Sequence, residues 1–217
     1  MNDSTFPKQP SALYRNADLP AGQALPGQSS HSTAKKRVAA VLLPLIWSED
    51  QWQLLFIRRT ENRNDRHSGQ VAFPGGAKDP QDNSSIATAL RETEEEIGVQ
   101  SGDIKVLGEL EIYTTSSLYQ VTPVVAHMNW PVPVTPAPDE VARVFSIPLD
   151  WLQNQDNFEI RSRELQSVEP GDDRVYRHPV IYFDRYDGEL LWGASARMTL
   201  NFIRALDQGQ LALPTNR

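Results

Sequence analysis

Three glutamates, Glu92, Glu95 and Glu96, stand at i, i+3 and i+4, so any helix that carries them brings their carboxylates to one edge. Like charges so placed repel by about a few tenths of a kcal/mol per pair. A hard divalent cation such as Mg²⁺ prefers oxygen ligands and turns that repulsion into a binding site. A solvated acidic helix face has the same pattern, and the run alone does not separate the two. The neighbours weigh toward chemistry. A Gly75-Gly76 turn brings backbone amides and carbonyls near the helix, and Arg91 can lock the loop by pairing with a carboxylate. Glu94 faces away from the other three and is expected to be solvated.

The spacing predicts a helix over 84–97, with Ile86, Leu90 and Ile97 on its apolar side and Ala87, Ala89 and Thr93 between them. Asp82, Asn83 or Ser84 can cap its start, and Gly98 stands where a C-terminal cap belongs. Before it come strands over 38–43 and 52–57, joined by the turn Ser48-Glu49-Asp50. A polar loop, 58–67, leads to a short strand over 70–73, after which Pro74-Gly75-Gly76 breaks the chain. Further strands are expected over 104–113, 119–127, 142–147, 157–165 and 175–186. A second amphipathic helix follows over 194–206, with Met198, Phe202 and Ile203 inward. Such an order predicts an α/β (α+β) fold, a mixed β-sheet between helices.

The 217 residues divide into a flexible arm over 1–34, a domain over 35–210 and a tail over 211–217. The arm holds Pro7, Pro10, Pro20, Pro26, Gly22 and Gly27 and few bulky apolar residues, too few to offset its ordering entropy. Lys+Arg 21 against Asp+Glu 28 leaves a net charge of −7, which repels a nucleic-acid backbone and, without cations, a polyphosphate. The absence of cysteine excludes disulfides, thiolate metal sites and cysteine nucleophiles. The longest apolar run, 38–47, contains Pro44 and is too short to span a bilayer. No secretory signal is read, so the expectation is a soluble cytoplasmic protein with neither nucleic acid nor membrane as partner.

The segment Gly76 to Val99 resembles the signature of the Nudix hydrolases, G-x5-E-x7-R-E-U-x-E-E-x-G-U, where U is bulky and apolar. Arg91-Glu92-Thr93-Glu94-Glu95-Glu96-Ile97-Gly98-Val99 fits its second half, with Thr93 in an apolar position. Asp82 replaces the first glutamate, and one extra residue lies between it and Arg91. Upstream, Gly69-Gln70-Val71-Ala72-Phe73-Pro74-Gly75-Gly76 is similar to the coenzyme A pyrophosphatase branch, G-x3-F-P-G-G. Leu54-Leu55-Phe56-Ile57-Arg58 departs from that branch at Phe56, and Asp65 falls where an arginine is expected.

The resemblance implies a Nudix fold and hydrolysis of a nucleoside diphosphate linked to another moiety, with Mg²⁺ or Mn²⁺ as cofactor. Glu92 and Glu96 would be principal metal ligands, Glu95 an additional one and the Gly76 carbonyl a backbone ligand. Glu95 is the first candidate for the general base and Glu140 the second; Arg91 would orient a glutamate. Arg58, Arg63, Arg66 and His67 are candidate phosphate contacts, because arginine suits bidentate contact. The implied substrate is coenzyme A or acyl-CoA, giving 3′,5′-ADP and (acyl) 4′-phosphopantetheine. Alternatives are another derivative such as ADP-ribose or NADH, or a non-catalytic nucleotide-binding module. A homodimer is a further expectation. Trp130, Trp151 and Trp192 serve either core packing or adenine stacking. Deleting residues 1–34 should leave turnover within a few-fold; a large loss or an aggregated product in size-exclusion chromatography would show that the arm packs on the domain.

Overall fold

The computed structural model describes residues 37–61, 68–115, 119–166 and 175–215, with backbone alone at 163–166 and 175–178. The expected arm over 1–34 lies outside them. Strand β1, Arg37–Ser48, turns back into β2, Gln51–Arg59, through Glu49 and Asp50 at φ 52° and 58°. The remaining strands are β3 Val71–Ala72, β4 Gly75–Ala77, β5 Ile104–Glu109, β6 Tyr113–Thr114, β7 Tyr119–Met128, β8 Val141–Pro148, β9 Phe158–Gln166, β10 Val175–Tyr186 and β11 Glu189–Trp192. The helices are α1 Ser85–Ile97, α2 Leu149–Gln153 and α3 Gly193–Asp207.

Eight strands form one mixed sheet. Its path is β3-β2-β1-β7-β5, with β4 on β1, β6 on β7 and β8 on β2. β1 and β7 are parallel; the other pairs are antiparallel. Side chains alternate across such a sheet, so each face has its own core. Ala40, Leu42, Ile46, Leu55, Ile57, Val124 and Ala126 pack with Ala89 and Ile97 of α1. Leu43, Leu45, Leu54, Phe56, Val121 and Val125 pack on the opposite face with Met198, Phe202 and Ile203 of α3. A second sheet, β11-β10-β9, shares that face through Phe158, Ile181 and Leu191. Trp151 and Trp192 stack on protein rings, Trp151 against Phe183 at 6.0 Å and Trp192 against Tyr182 at 5.5 Å.

Three expectations are corrected. Pro74-Gly75-Gly76 does not end the pairing: β4 lies antiparallel to β1, with Ala77, Gly76 and Gly75 opposite Ala39, Ala40 and Val41. Only a bare backbone fits there, since a Cβ on Gly75 would fall 2.4 Å from the Ala40 carbonyl. The strand expected over 104–113 divides into β5 and β6, with a register shift between Val106 and Gly108. Helix α2 and strand β11 were not expected. An Asp187-Gly188 turn at φ 49° and 80° returns β10 into β11, an Asp-Gly hairpin signal present in the sequence. Of the three candidate caps, Ser84 is the one that caps α1, its Oγ accepting from Ala87 N at 3.0 Å.

Phe73 is 2% exposed and stacks on Phe56 at 4.7 Å. It anchors the chain one residue before the turn that enters the site. Phe73→Ala should cost about 3–5 kcal/mol of stability, the usual penalty for a buried aromatic; urea denaturation showing less than about 1 kcal/mol would refute that anchoring role.

Candidate active site

Helix α1 points its acidic edge at the β4 turn because its other side is held by the sheet. Thr93 occupies a buried, apolar-looking position without penalty, as its hydroxyl donates to the Ala89 carbonyl at 2.7 Å. At the helix end, Gly98 adopts φ 74° and donates to the Glu94 carbonyl. The next carbonyls accept from a following segment: Ala137 N reaches Glu96 O, and Thr135 N reaches Ile97 O, both at 2.8 Å. That segment is tied to the end of β2, where Thr60 N donates to Glu140 O at 3.0 Å and Thr60 Oγ1 to Asp139 O at 2.8 Å. Glu140 is thereby fixed just ahead of β8, between the end of β2 and the end of α1.

Glu96 is the deepest acid. Its side chain is 2% exposed, its Oε2 accepts from Gly75 N at 2.9 Å, and its Oε1 lies 3.6 Å from Arg59 Nη1. Burial pushes its carboxyl up to about 7; Gly75 and Arg59 oppose the rise, and the charges of Glu92 and Glu140 add to it. Glu92 is likewise raised, first by burial, with Arg91 opposing and Glu95 and Glu140 adding. Three carboxylates, Glu92, Glu96 and Glu140, thus share one repulsive field. Gly76 admits Glu92 to this place: a Cβ there would fall 2.4 Å from Glu92 Oε2.

Arg91 is the hub of the outer layer. It donates to Asp82 through Nε at 3.1 Å and Nη2 at 2.9 Å, to Ala77 O at 3.1 Å and to Glu95 Oε2 at 2.9 Å. Its Nη1 also lies 2.9 Å from Glu92 Oε1. The hydrogen bond from Arg91 holds the Asp82 carboxyl well below the usual carboxylate range. Asp82 therefore ties the glycine turn to the helix through Arg91, which also reaches Ala77 O.

The donor set suits a hard divalent cation, since ionising the buried Glu96 and its neighbours is costly until a positive charge arrives. Among the described residues no three acids or imidazoles are grouped closely enough to hold an ion in this conformation, because Arg91 holds Glu92 and Glu95. Arg58 sits at the edge of the region, its Nε 3.9 Å from Glu189 Oε1. Arg63, Arg66 and His67 lie outside the described residues. The expected approach of the glycine turn's amides to the helix is realised by Gly75. Sequence reasoning missed the contact of Arg59 with Glu96, which depends on β2 ending beside α1, something no local pattern records.

The comparisons agree on one family. The profile of the NUDIX domain matches residues 35–168. Proteins called uncharacterized Nudix hydrolase NudL, from Yersinia pestis (strain Pestoides F) and Yersinia pseudotuberculosis serotype O:1b, are 35% identical over 180 residues, 83% of each chain. The crystal structure of the Nudix hydrolase RenU from M. smegmatis superposes with a TM-score of 0.53 at 17% identity, covering 84% of this chain and 91% of that one.

Because Glu96 holds its proton in the folded state up to about pH 7, and the unfolded chain releases it near about 4.3, folding binds a proton between those values. The stability this proton contributes is complete below the lower value and lost as pH rises through the upper. In metal-free buffer, the stability gap between Glu96→Gln and the parent should widen in favour of the variant from about pH 4 to 7 and then level off. A gap that does not vary with pH in denaturant titrations would refute the assignment.

Proposed function

Because this chain belongs to the Nudix hydrolase family, enzymes that cleave the diphosphate bond of nucleoside diphosphate derivatives, we propose that its substrate is coenzyme A or acyl-CoA. Water adds to one phosphorus and the bridging P–O bond breaks, giving 3′,5′-ADP and 4′-phosphopantetheine or its acyl form. The observation that carries this reading is the intact Gly69 to Gly76 segment, whose last glycines seat Glu96 and Glu92 of α1.

Enzymes of this family work with a divalent cation. Glu92 and Glu96 would hold it here as Mg²⁺ or Mn²⁺, with Glu95 and the Gly76 carbonyl adding oxygens. When bound, the cation supplies neutralising charge for the diphosphate and lowers the pKa of water. The Gly75 amide fixes one oxygen of Glu96, and the other lies 3.6 Å from Arg59 Nη1. Arg91 is a positioning residue: it holds the turn and the helix at a fixed separation through Ala77 O and Asp82. For the proton of the attacking water there are two acceptors, Glu95 and Glu140. The Glu95 carboxylate is engaged by Arg91, whereas Glu140 has no ion-pair partner among the described residues and shares the field of Glu92 and Glu96. Glu140 is the better placed of the two. Arg58, with Arg63, Arg66 and His67 beyond it, would add positive charge on the substrate's approach.

The substrate is a diffusible nucleotide, and a cytoplasmic location fits it. No helix among the described residues is long and apolar enough to cross a membrane.

A panel of coenzyme A, acetyl-CoA, ADP-ribose and NADH, run with Mg²⁺ and with Mn²⁺ and resolved by product mass, tests the reading. The highest kcat/KM is expected for a coenzyme A species; a clear preference for ADP-ribose or NADH would overturn it. Glu96→Gln should lower kcat at least about a hundredfold with the fold intact. A loss within about tenfold, roughly 1.4 kcal/mol of barrier, would remove Glu96 from the site.

A further inference from the structure

Arg58 of β2 and Arg143 of β8 are cross-strand partners, and both reach toward the second sheet. Like charges directly opposite each other weaken a strand pair. Glu189 stands against both: its Oε1 accepts from Arg143 Nη1 at 3.0 Å and lies 3.9 Å from Arg58 Nε. Its side chain is buried, 8% exposed. Burying a carboxylate is costly unless cations answer it, and holding the β10–β11 hairpin on β8 does not call for it. Asp187 already does that, accepting from Arg143 through its carboxylate and, at 3.2 Å, through its carbonyl.

The strand ends beyond this arginine pair lead to the acidic site. Arg58 is followed by Arg59, whose Nη1 lies 3.6 Å from Glu96, and Arg143 is preceded by Glu140, Val141 and Ala142. Between them the register shifts. Arg58 faces Arg143 but Arg59 faces Val141, so Ala142 is left over on β8. Such a bulge bends its strand and re-aims what adjoins it. Here it turns Val141, and not Ala142, into the core shared with α1. One step further, Thr60 N donates to Glu140 O, and Ala137 N to Glu96 O. The bulge is thus bounded by the Thr60 hydrogen bond on the side of the acids and by the two arginines on the other.

The same row of the sheet is held at its other end. Arg58 also faces Val71 of β3, whose carbonyl accepts from Ser195 Oγ at 3.1 Å. The second sheet and α3 therefore grip the row Val71, Arg58, Arg143 from both sides, next to the bulge.

We propose that Glu189 is a positioning residue for the reaction: by offsetting the repulsion between Arg58 and Arg143 it keeps the bulged ends of β2 and β8 in register, and so fixes Glu140 against the end of α1. Glu189 touches nothing in the acidic site, which lies on the other face of the sheet; its effect passes through the two strands. The inference rests on the reading in which Glu140 accepts the proton of the attacking water, and it holds for any diphosphate substrate.

Glu189→Gln keeps the volume and an oxygen for Arg143 but removes the charge. With the substrate that the parent hydrolyses best, its kcat should fall about tenfold while KM stays within about twofold, as a small misplacement of a reacting group dictates. Glu189→Gln with Arg143→Gln should recover most of that loss, because one of the two repelling charges is gone, although the clasp on Asp187 goes with it. A merely structural Glu189 would give no recovery. In a Glu140→Gln background, Glu189→Gln should change kcat by less than about twofold, since both act through one group. In the metal-free protein, hydrogen exchange of Glu189→Gln should show the Thr60 amide losing about tenfold in protection, and the Leu42 amide, bonded to Pro74 O, much less. Equal losses at the two amides, an effect on KM alone, or a double variant no better than Glu189→Gln would overturn the inference. If Glu140→Gln by itself leaves kcat unchanged, the reading of Glu140 fails and the inference with it; if Glu140→Gln lowers kcat and Glu189→Gln does not, the inference alone fails.

Discussion

Ionising the Glu96 carboxyl beneath the β4 turn costs free energy, and most of the site is arranged around that cost. The carboxyl is buried because α1 is seated on the sheet by Ala89, Thr93 and Ile97, which share its side of the helix. One backbone amide and one guanidinium reach it, enough to orient the group but not to restore ordinary acidity. Glu92 and Glu140 make matters worse by adding negative charge. A protein that needed only stability would place glutamine or leucine at position 96. Retaining the acid makes sense where a cation completes the field.

The glycine pair is the geometric counterpart of that electrostatic constraint. Gly75 lets β4 lie against Ala40 and Val41, and so points its amide at Glu96; Gly76 leaves the space that the Glu92 carboxylate fills. A side chain at either place would separate turn from helix. Arg91 and Asp82 then fix the same separation from the outside, with Phe73 holding the approach to the turn in the core. Electrostatics and sterics converge on a segment of a few residues, while the rest of the fold holds its two flanks still.

How much of this could be read from the sequence depended on range. The helix was legible to within a residue, because its apolar period, Ser84 and Gly98 are local signals. Most strands were legible for the same reason. β4 was hidden, since glycine and proline read as breakers, and the reason they pair here is a neighbour's backbone far away in sequence. β6 and the second sheet were hidden because register shifts and sheet membership are decided by tertiary contacts. The acidic cluster was visible as a pattern, but its inequality was not: Glu96 is buried, Glu92 mostly covered and Glu95 largely in solvent. Spacing places carboxylates on one edge and says nothing of depth.

The α1 face and the edge toward the second sheet both pair arginines with acids, and that pairing bears on recognition. On the α1 face the arginines are matched by acids, Arg91 by three and Arg59 by Glu96, so that face gains net attraction for a diphosphate only when cations are added. On the edge toward the second sheet Arg143 is matched by Asp187 and Glu189, which clasp the hairpin turn to β8. A chain with a net charge of −7 has acids to spare for every surface arginine. The field that a diphosphate meets at the glycine turn is therefore set by the cations it arrives with, because the arginines there are already paired with acids.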